Sequence, residues 1–267
     1  MTLRKMNKIS IKVISPDEKG DKENLIENLI SNLEKDENIY CGYDTLKDLK
    51  LNLSWQVTGE ENVSFKPEDF DEIEIFNLIK KSSKLCPDIL ESNVYVYVFP
   101  TVNEFTIGKM DGVGGNFSNK KVMLLFVNQR STDWRDALKE TFFHELAHVL
   151  SPYYDVFDMT LSEGFVFDGI AEHFHENIIN GRKSQFATVL SKEKAREIFN
   201  ELKSKLGSTD VKLYNEVFYG TGKYPHWSGY SIGYHLVKDY LKKFNKPNWK
   251  KIINTNPKEI LKESGWI

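Results

Sequence analysis

The sequence predicts an α+β fold, with a small mixed or antiparallel sheet followed by a mostly helical C-terminal half. The two strongest strand patterns, residues 93–99 (NVYVYVF) and 121–128 (KVMLLFVN), both precede residue 130, while almost everything after Thr132 carries helical periodicity. Strands and helices in separate blocks, rather than in alternation, mark this class. Hydrophobic residues make up 40% of the 267 positions and aromatics 13%, enough apolar surface for a packed core, so disorder of the whole chain is excluded.

From the N-terminus, residues 9–14 (ISIKVI) alternate as a short strand, and the polar SPDEKGD that follows breaks it. Leu25, Ile26, Leu29, Ile30 and Leu33 form a helical stripe over residues 22–34. A short helix is expected near 43–51. A second stripe runs from Pro67 to about Leu85 through Phe70, Ile73, Phe76, Leu78 and Ile79, with Pro67 in the first turn and Pro87 as the stop. Pro100 closes the first strong strand. The glycine cluster DGVGGN (111–116) reads as a turn, or as a place where another backbone comes close. Helices are expected over 133–150, 160–180, 191–206, 209–218, 228–244 and 257–264, with Gly181 in the residue position that follows a helix end. Residues 1–130 are expected to form an N-terminal α/β portion with the sheet and an edge strand, and residues 131–267 a helical portion, together one compact unit.

Charge narrows the partners. Thirty-six Lys and Arg against 39 Asp and Glu give a net charge of −3, so a sequence-independent grip on nucleic-acid phosphates is not expected. No apolar run is long enough to span a bilayer, and no membrane partner is expected. The basic N-terminal stretch lacks the apolar core of a signal peptide, so a cytoplasmic location is expected. Cys41 and Cys86, far apart and in no CxxC, suggest neither a disulfide framework nor a thiolate zinc site, and read as small core residues. GTGK at 220–223 lacks the spacing of a phosphate-binding loop. Oligomeric state leaves no mark in the sequence.

One motif carries chemistry. Residues 144–148 are HELAH, an HExxH. On a helix His144 and His148 lie one turn apart on one face, so both imidazoles can reach a single metal ion, with Glu145 beside them to hold and deprotonate a water. The uncharged flanks, TFF before and VL after, suit a helix buried beneath a metal. Zinc takes such nitrogen ligands and needs a third group while a fourth position stays open for catalysis. Three carboxylates in TLSEGFVFDGIAEHFHE (160–176) compete for that role, Asp168, Glu163 and Glu172. Asp168 and Glu172 share a helix face, so one can bind metal while the other accepts a hydrogen bond from a ligand imidazole. An oxyanion needs a donor opposite the metal. Tyr230 and Tyr234, four apart in GYSIGY, are candidates, Tyr230 the favoured one, and His226 lies just ahead.

HELAH followed by an acidic helix resembles the zincin metallopeptidases of gluzincin type, whose third ligand is a carboxylate on a second helix. More closely, the chain resembles a family of predicted zinc-dependent proteases that pair HExxH with a later EGLAE-like helix and a GYxxGY helix. The matching pieces are HELAH (144–148), DGIAEHF (168–174) and GYSIGY (229–234), with GVGG (112–115) ahead of a strand, over roughly residues 90–265. The resemblance implies a zincin-like fold and a zinc-dependent peptidase acting on a peptide or protein substrate. His144 and His148 fall on the histidine ligands, Glu145 on the general base, Asp168 on the ligand glutamate and Glu172 on the acid behind it. Aspartate in place of glutamate shortens that ligand by one methylene, which keeps Glu163 open and motivates a second expectation, a metal-bound binding or regulatory module that does not cleave. In zincins an extended substrate adds to a sheet edge above the metal. The strand at 121–127, reached from DGVGGN, would serve, with Gly114 and Gly115 letting the substrate backbone approach.

Overall fold

The computed structural model describes residues 9–16, 22–33, 43–59, 70–85, 90, 93–119, 121–155 and 158–267. Cys41, Cys86, Pro67 and Pro87 lie outside them. The chain is α+β, a four-stranded mixed sheet with a largely helical remainder, and it divides into two compact units, Met1–Val149 and Leu150–Ile267.

The first unit is built on the sheet. Strands β1 (Ile9–Val13), β2 (Val94–Pro100), β3 (Val113–Asn119) and β4 (Val122–Val127) lie in the order β1-β2-β4-β3. The first three neighbours in that order run parallel, and β3 runs antiparallel to β4. All of β4 is buried, as its unbroken apolar run requires of a strand covered on both faces. It lies inside the sheet, so among the described residues the edge on that side is β3, and the expectation that placed the edge at 121–127 is corrected by one strand. Only the start of the glycine cluster is a turn. Asp111 (φ 52°) and Gly112 (φ 83°) make the turn, while Gly114, Gly115 and Asn116 already pair with Phe126, Leu125 and Leu124. Glycines carry no hydropathy, so the alternation that marks a strand is invisible there.

Helix α1 (Lys22–Leu33) buries all five residues of its stripe. Helix α2 (Leu46–Leu53), capped by Thr45, continues into a π-helical turn over Ser54–Thr58. Helix α3 (Glu72–Ser82) buries Ile75 and Ile79 but leaves Ile73 at 74% exposure, so the core face is one step around from the expected stripe. Helix α4 (Glu104–Lys109), capped by Asn103, carried no sequence signal because it is barely one turn and a half long. Helix α5 (Trp134–Leu150) holds HELAH and buries Trp134, Leu138, Phe142 and Phe143.

The second unit is helical. Helix α6 (Leu161–Ile179) is buried along most of its length and packs chiefly on α9 (Ser228–Leu241). The two cross at glycines. A Cβ on Gly169 would stand 2.2 Å from the Gly233 carbonyl oxygen, and one on Gly233 would stand 2.1 Å from that of Phe165. The GYSIGY glycine Gly233 therefore permits this close approach. Helices α7 (Lys192–Glu201), α8 (Val211–Phe218), α10 (Trp249–Ile253) and α11 (Pro257–Glu263) complete the unit, α10 being too short to read from periodicity. At the end of α6 the left-handed residue is Asn180 (φ 50°) rather than Gly181, a role asparagine fills more readily than other residues with a side chain.

Candidate metal centre

Helix α5 presents its two histidines as the spacing requires. The His144 and His148 Nε2 atoms lie 3.1 Å apart, and the rings stand at 79° to each other. Both residues are buried, as is Glu145. Strand β3 passes directly over this stretch. A Cβ on Gly115 would meet Thr141 Cγ2 at 2.6 Å, Glu145 Cγ at 2.7 Å and Glu145 Oε1 at 2.9 Å. Only a glycine lets the strand lie so close to the acid. Two residues on, and so on the same face of the strand, Phe117 packs at 6.3 Å from the His148 ring. That contact was open to sequence reading once the glycines are placed in a strand. Gly114 faces the other way, with Thr106 and Gln56 no nearer than ordinary contact.

On α6 the three competing carboxylates part company. Glu163 closes a capping box: the Thr160 N–H donates to its Oε2 at 2.9 Å, the Thr160 hydroxyl donates to the same oxygen at 2.7 Å, and the Glu163 N–H donates back to Thr160 Oγ1. Glu172 is fully buried, and its Oε2 accepts from the Ser184 hydroxyl and stands 3.3 Å from His175 Nε2. Asp168 is buried in a tyrosine-rich part of the unit. Burial first, and the Asp168 carboxylate second, push the Tyr214 phenol well above the usual tyrosine range. Tyr230 is pushed up likewise by burial, by Tyr219 and by Asp168. Tyr214, Tyr219 and Ser184 escaped the sequence reading, since no spacing rule links them to HELAH, while His175, which reads from the sequence as a surface or helix-packing histidine, is buried beside Glu172.

The two tyrosines of GYSIGY have different surroundings. Tyr230 packs on Phe186 at 5.4 Å and Phe218 at 5.2 Å. Tyr234 instead stacks on His173 at 4.3 Å and points its hydroxyl toward Glu176 Oε2 at 3.5 Å. Burial, with the Glu176 carboxylate behind it, raises the Tyr234 pKa. His226 donates from Nδ1 to the Tyr219 carbonyl at 2.7 Å.

Among the described residues, His144, His148 and Asp168 each offer one ligand atom, and these atoms all lie within 4.8 Å of one another. The donor set fits zinc: two imidazole nitrogens and one carboxylate oxygen, with a nitrogen pair close to the separation of about 3.3 Å that bond lengths near 2.0–2.1 Å give in a tetrahedral shell. Residues 75–262, more than half of the chain, match the family model described as Predicted Zn-dependent protease (DUF2268). The chain belongs to this DUF2268 family. Both HELAH and Asp168 lie inside the matched DUF2268 region. Neither curated proteins nor solved structures gave a match. Among the described residues no helix is long and apolar enough to cross a membrane.

Proposed function

We propose that this protein is a zinc-dependent peptidase of zincin-like, gluzincin-type fold, cleaving peptide or protein substrates. The observation that carries the reading is the convergence of His144, His148 and Asp168 ligand atoms within 4.8 Å, next to the buried Glu145. In this reading the two imidazoles and the Asp168 carboxylate hold the ion, and Glu172 stands behind them. Bound there, zinc supplies a Lewis acid that polarises the scissile carbonyl and makes water a nucleophile near neutral pH. Glu145 takes the proton from the attacking water and passes it to the leaving amine. In this reading β3, with Gly114 and Gly115, takes the substrate as a further strand, and His226 helps to bind it.

Two variants test the reading. With zinc-loaded protein and an unstructured protein substrate, Glu145→Gln is expected to lower the cleavage rate by about 10²–10⁴ while zinc content stays at one per chain, because only the proton transfer is lost. His148→Ala is expected to lose the zinc itself. A zinc-loaded wild type that cleaves nothing across a broad peptide library would replace this reading with that of a metal-bound, non-proteolytic module.

A further inference from the structure

The two neighbouring glycines of β3 face opposite ways. Gly115 lies over Glu145 of α5, whereas a Cβ on Gly114 would meet Thr106 of α4 at 3.5 Å and Gln56 Oε1, in the π-helical turn, at 4.0 Å. Helix α4 and the π-helical turn therefore stand on the face of β3 away from the metal helix. One side chain ties them together. Asn103 Nδ2 donates to the Trp55 carbonyl at 2.7 Å, and Asn103 Oδ1 accepts from the Phe105 N–H at 2.9 Å. The Gly59 N–H donates to the same Trp55 carbonyl at 2.9 Å, at the end of a π turn, a form that recurs at functional sites.

What these two elements turn outward is aromatic. Trp55 is 56% exposed and Phe105 45%, although large aromatic rings contribute most when covered. Trp55 is the most exposed of the five tryptophans. Thr106, next to Phe105, is buried against the strand, so the patch is fixed to β3. Two rings whose backbones are held by one asparagine amide, beside a strand that is an edge among the described residues, form a contiguous apolar surface of the kind that meets a ligand.

The strand decides which ligand can cover that surface. In a β ladder, residues directly opposite each other put their side chains on the same face, and successive residues alternate. A peptide paired with β3 turns the residues opposite Gly115 and Phe117 toward α5 and Glu145, and those opposite Gly114 and Asn116 toward α4. We propose that Trp55 and Phe105 form a specificity subsite for a large apolar side chain of an extended peptide substrate, the side chain that stands on the Gly114 face of β3. The proposal rests on the peptidase reading, with β3 as the pairing strand, and it adds the class of residue that the substrate carries. Selection by this patch then falls on one substrate position, or on two separated by one.

The test compares zinc-loaded wild type, Trp55→Ala and Phe105→Ala on a peptide library in which each position around the cleaved bond is varied in turn. Ile73→Ala serves as control: Ile73 is 74% exposed on α3, which packs on β1 at the other end of the sheet order. The wild type is expected to favour Leu or Phe over Ala at the selected position by about tenfold or more in kcat/KM, the scale of discrimination by an apolar pocket. Trp55→Ala and Phe105→Ala should each cut that preference by about threefold or more, with the alanine peptide turned over within about twofold of wild type, because only the side-chain contact is lost. Ile73→Ala should change neither. Zinc-loaded Glu145→Gln, which holds the peptide uncut, gives a readout without turnover. The bound Leu or Phe peptide should shield Trp55 from acrylamide quenching, and the shielding should vanish when Trp55→Phe is added. A wild type that cleaves without an apolar preference, alanine variants that keep it, losses spread over adjacent positions, or a bound peptide that leaves Trp55 open to acrylamide would overturn the subsite while the peptidase reading stands. A wild type that cleaves nothing, with Glu145→Gln binding no peptide, would sink both.

Discussion

Glu163, Asp168 and Glu172 share one helix and one chemistry, yet their surroundings assign them different work. Glu163 is committed to Thr160 at the helix start, where a carboxylate also meets the positive end of the helix dipole. Glu172 accepts from Ser184, with His175 beside it. Asp168 is the one that converges with the two histidines. Removing each should therefore read out differently. Glu163→Ala is expected to lower stability by about 1 kcal/mol, the usual cost of a lost cap, with zinc affinity unchanged. Asp168→Asn should leave the fold intact but lose zinc, by more than the 10–100-fold typical of a group behind a ligand. A competition titration against a chelator, run beside urea unfolding, checks both. Loss of zinc in Glu163→Ala, with retention in Asp168→Asn, would reassign the third ligand.

Between elements, the decisive contact is strand β3 lying on helix α5. At Gly115 a methyl group would have to occupy space already held by Thr141 and Glu145, whereas at Gly114 the nearest atoms stand 3.5 Å away. Gly115→Ala is expected to cost about 1–3 kcal/mol, the range for overpacking, and to displace Glu145, lowering kcat as well. Gly114→Ala should leave the melting temperature close to wild type, since its nearest atoms stand at ordinary contact. Melting temperatures of the two variants, measured side by side, check this, and equal losses would mean that β3 does not press on the acid. The same contact shows what the sequence makes legible. HELAH could be read because i, i+4 spacing is local, and α5, α6 and α9 because their periodicity runs for several turns. Strand β3 could not, because two glycines erase its alternation and its place at the edge is set by pairing with a strand that follows it.

At the scale of the whole molecule, the −3 net charge leaves little long-range repulsion, so the pH response of stability is governed by individual hydrogen-bonded groups. Asp239 is the clearest. Burial alone would raise its pKa, but hydrogen bonds from Lys192 Nζ (2.7 Å), Lys242 Nζ (2.8 Å) and the indole of Trp266 (3.0 Å) outweigh it and hold the carboxyl down to about 2. Through those bonds Asp239 fastens the C-terminal Trp266 and the start of α7 to α9. A carboxylate whose folded pKa is depressed contributes stability that is fully present above its unfolded pKa, near 4, and is lost as pH falls through its folded pKa. The window is therefore pH 4 down to pH 2, and the magnitude is on the order of 2 kcal/mol. Other carboxylates titrate in the same range, so the informative quantity is the difference between wild type and Asp239→Asn. Urea unfolding at intervals from pH 5 to pH 2 is expected to show the wild type more stable at pH 5 and the gap closing by pH 2, because the asparagine variant has no proton to gain. A gap that stays constant across that range would mean that the carboxylate is not charged against the two lysines in the native state, and that the C-terminal segment is held by the packing of Trp266 alone.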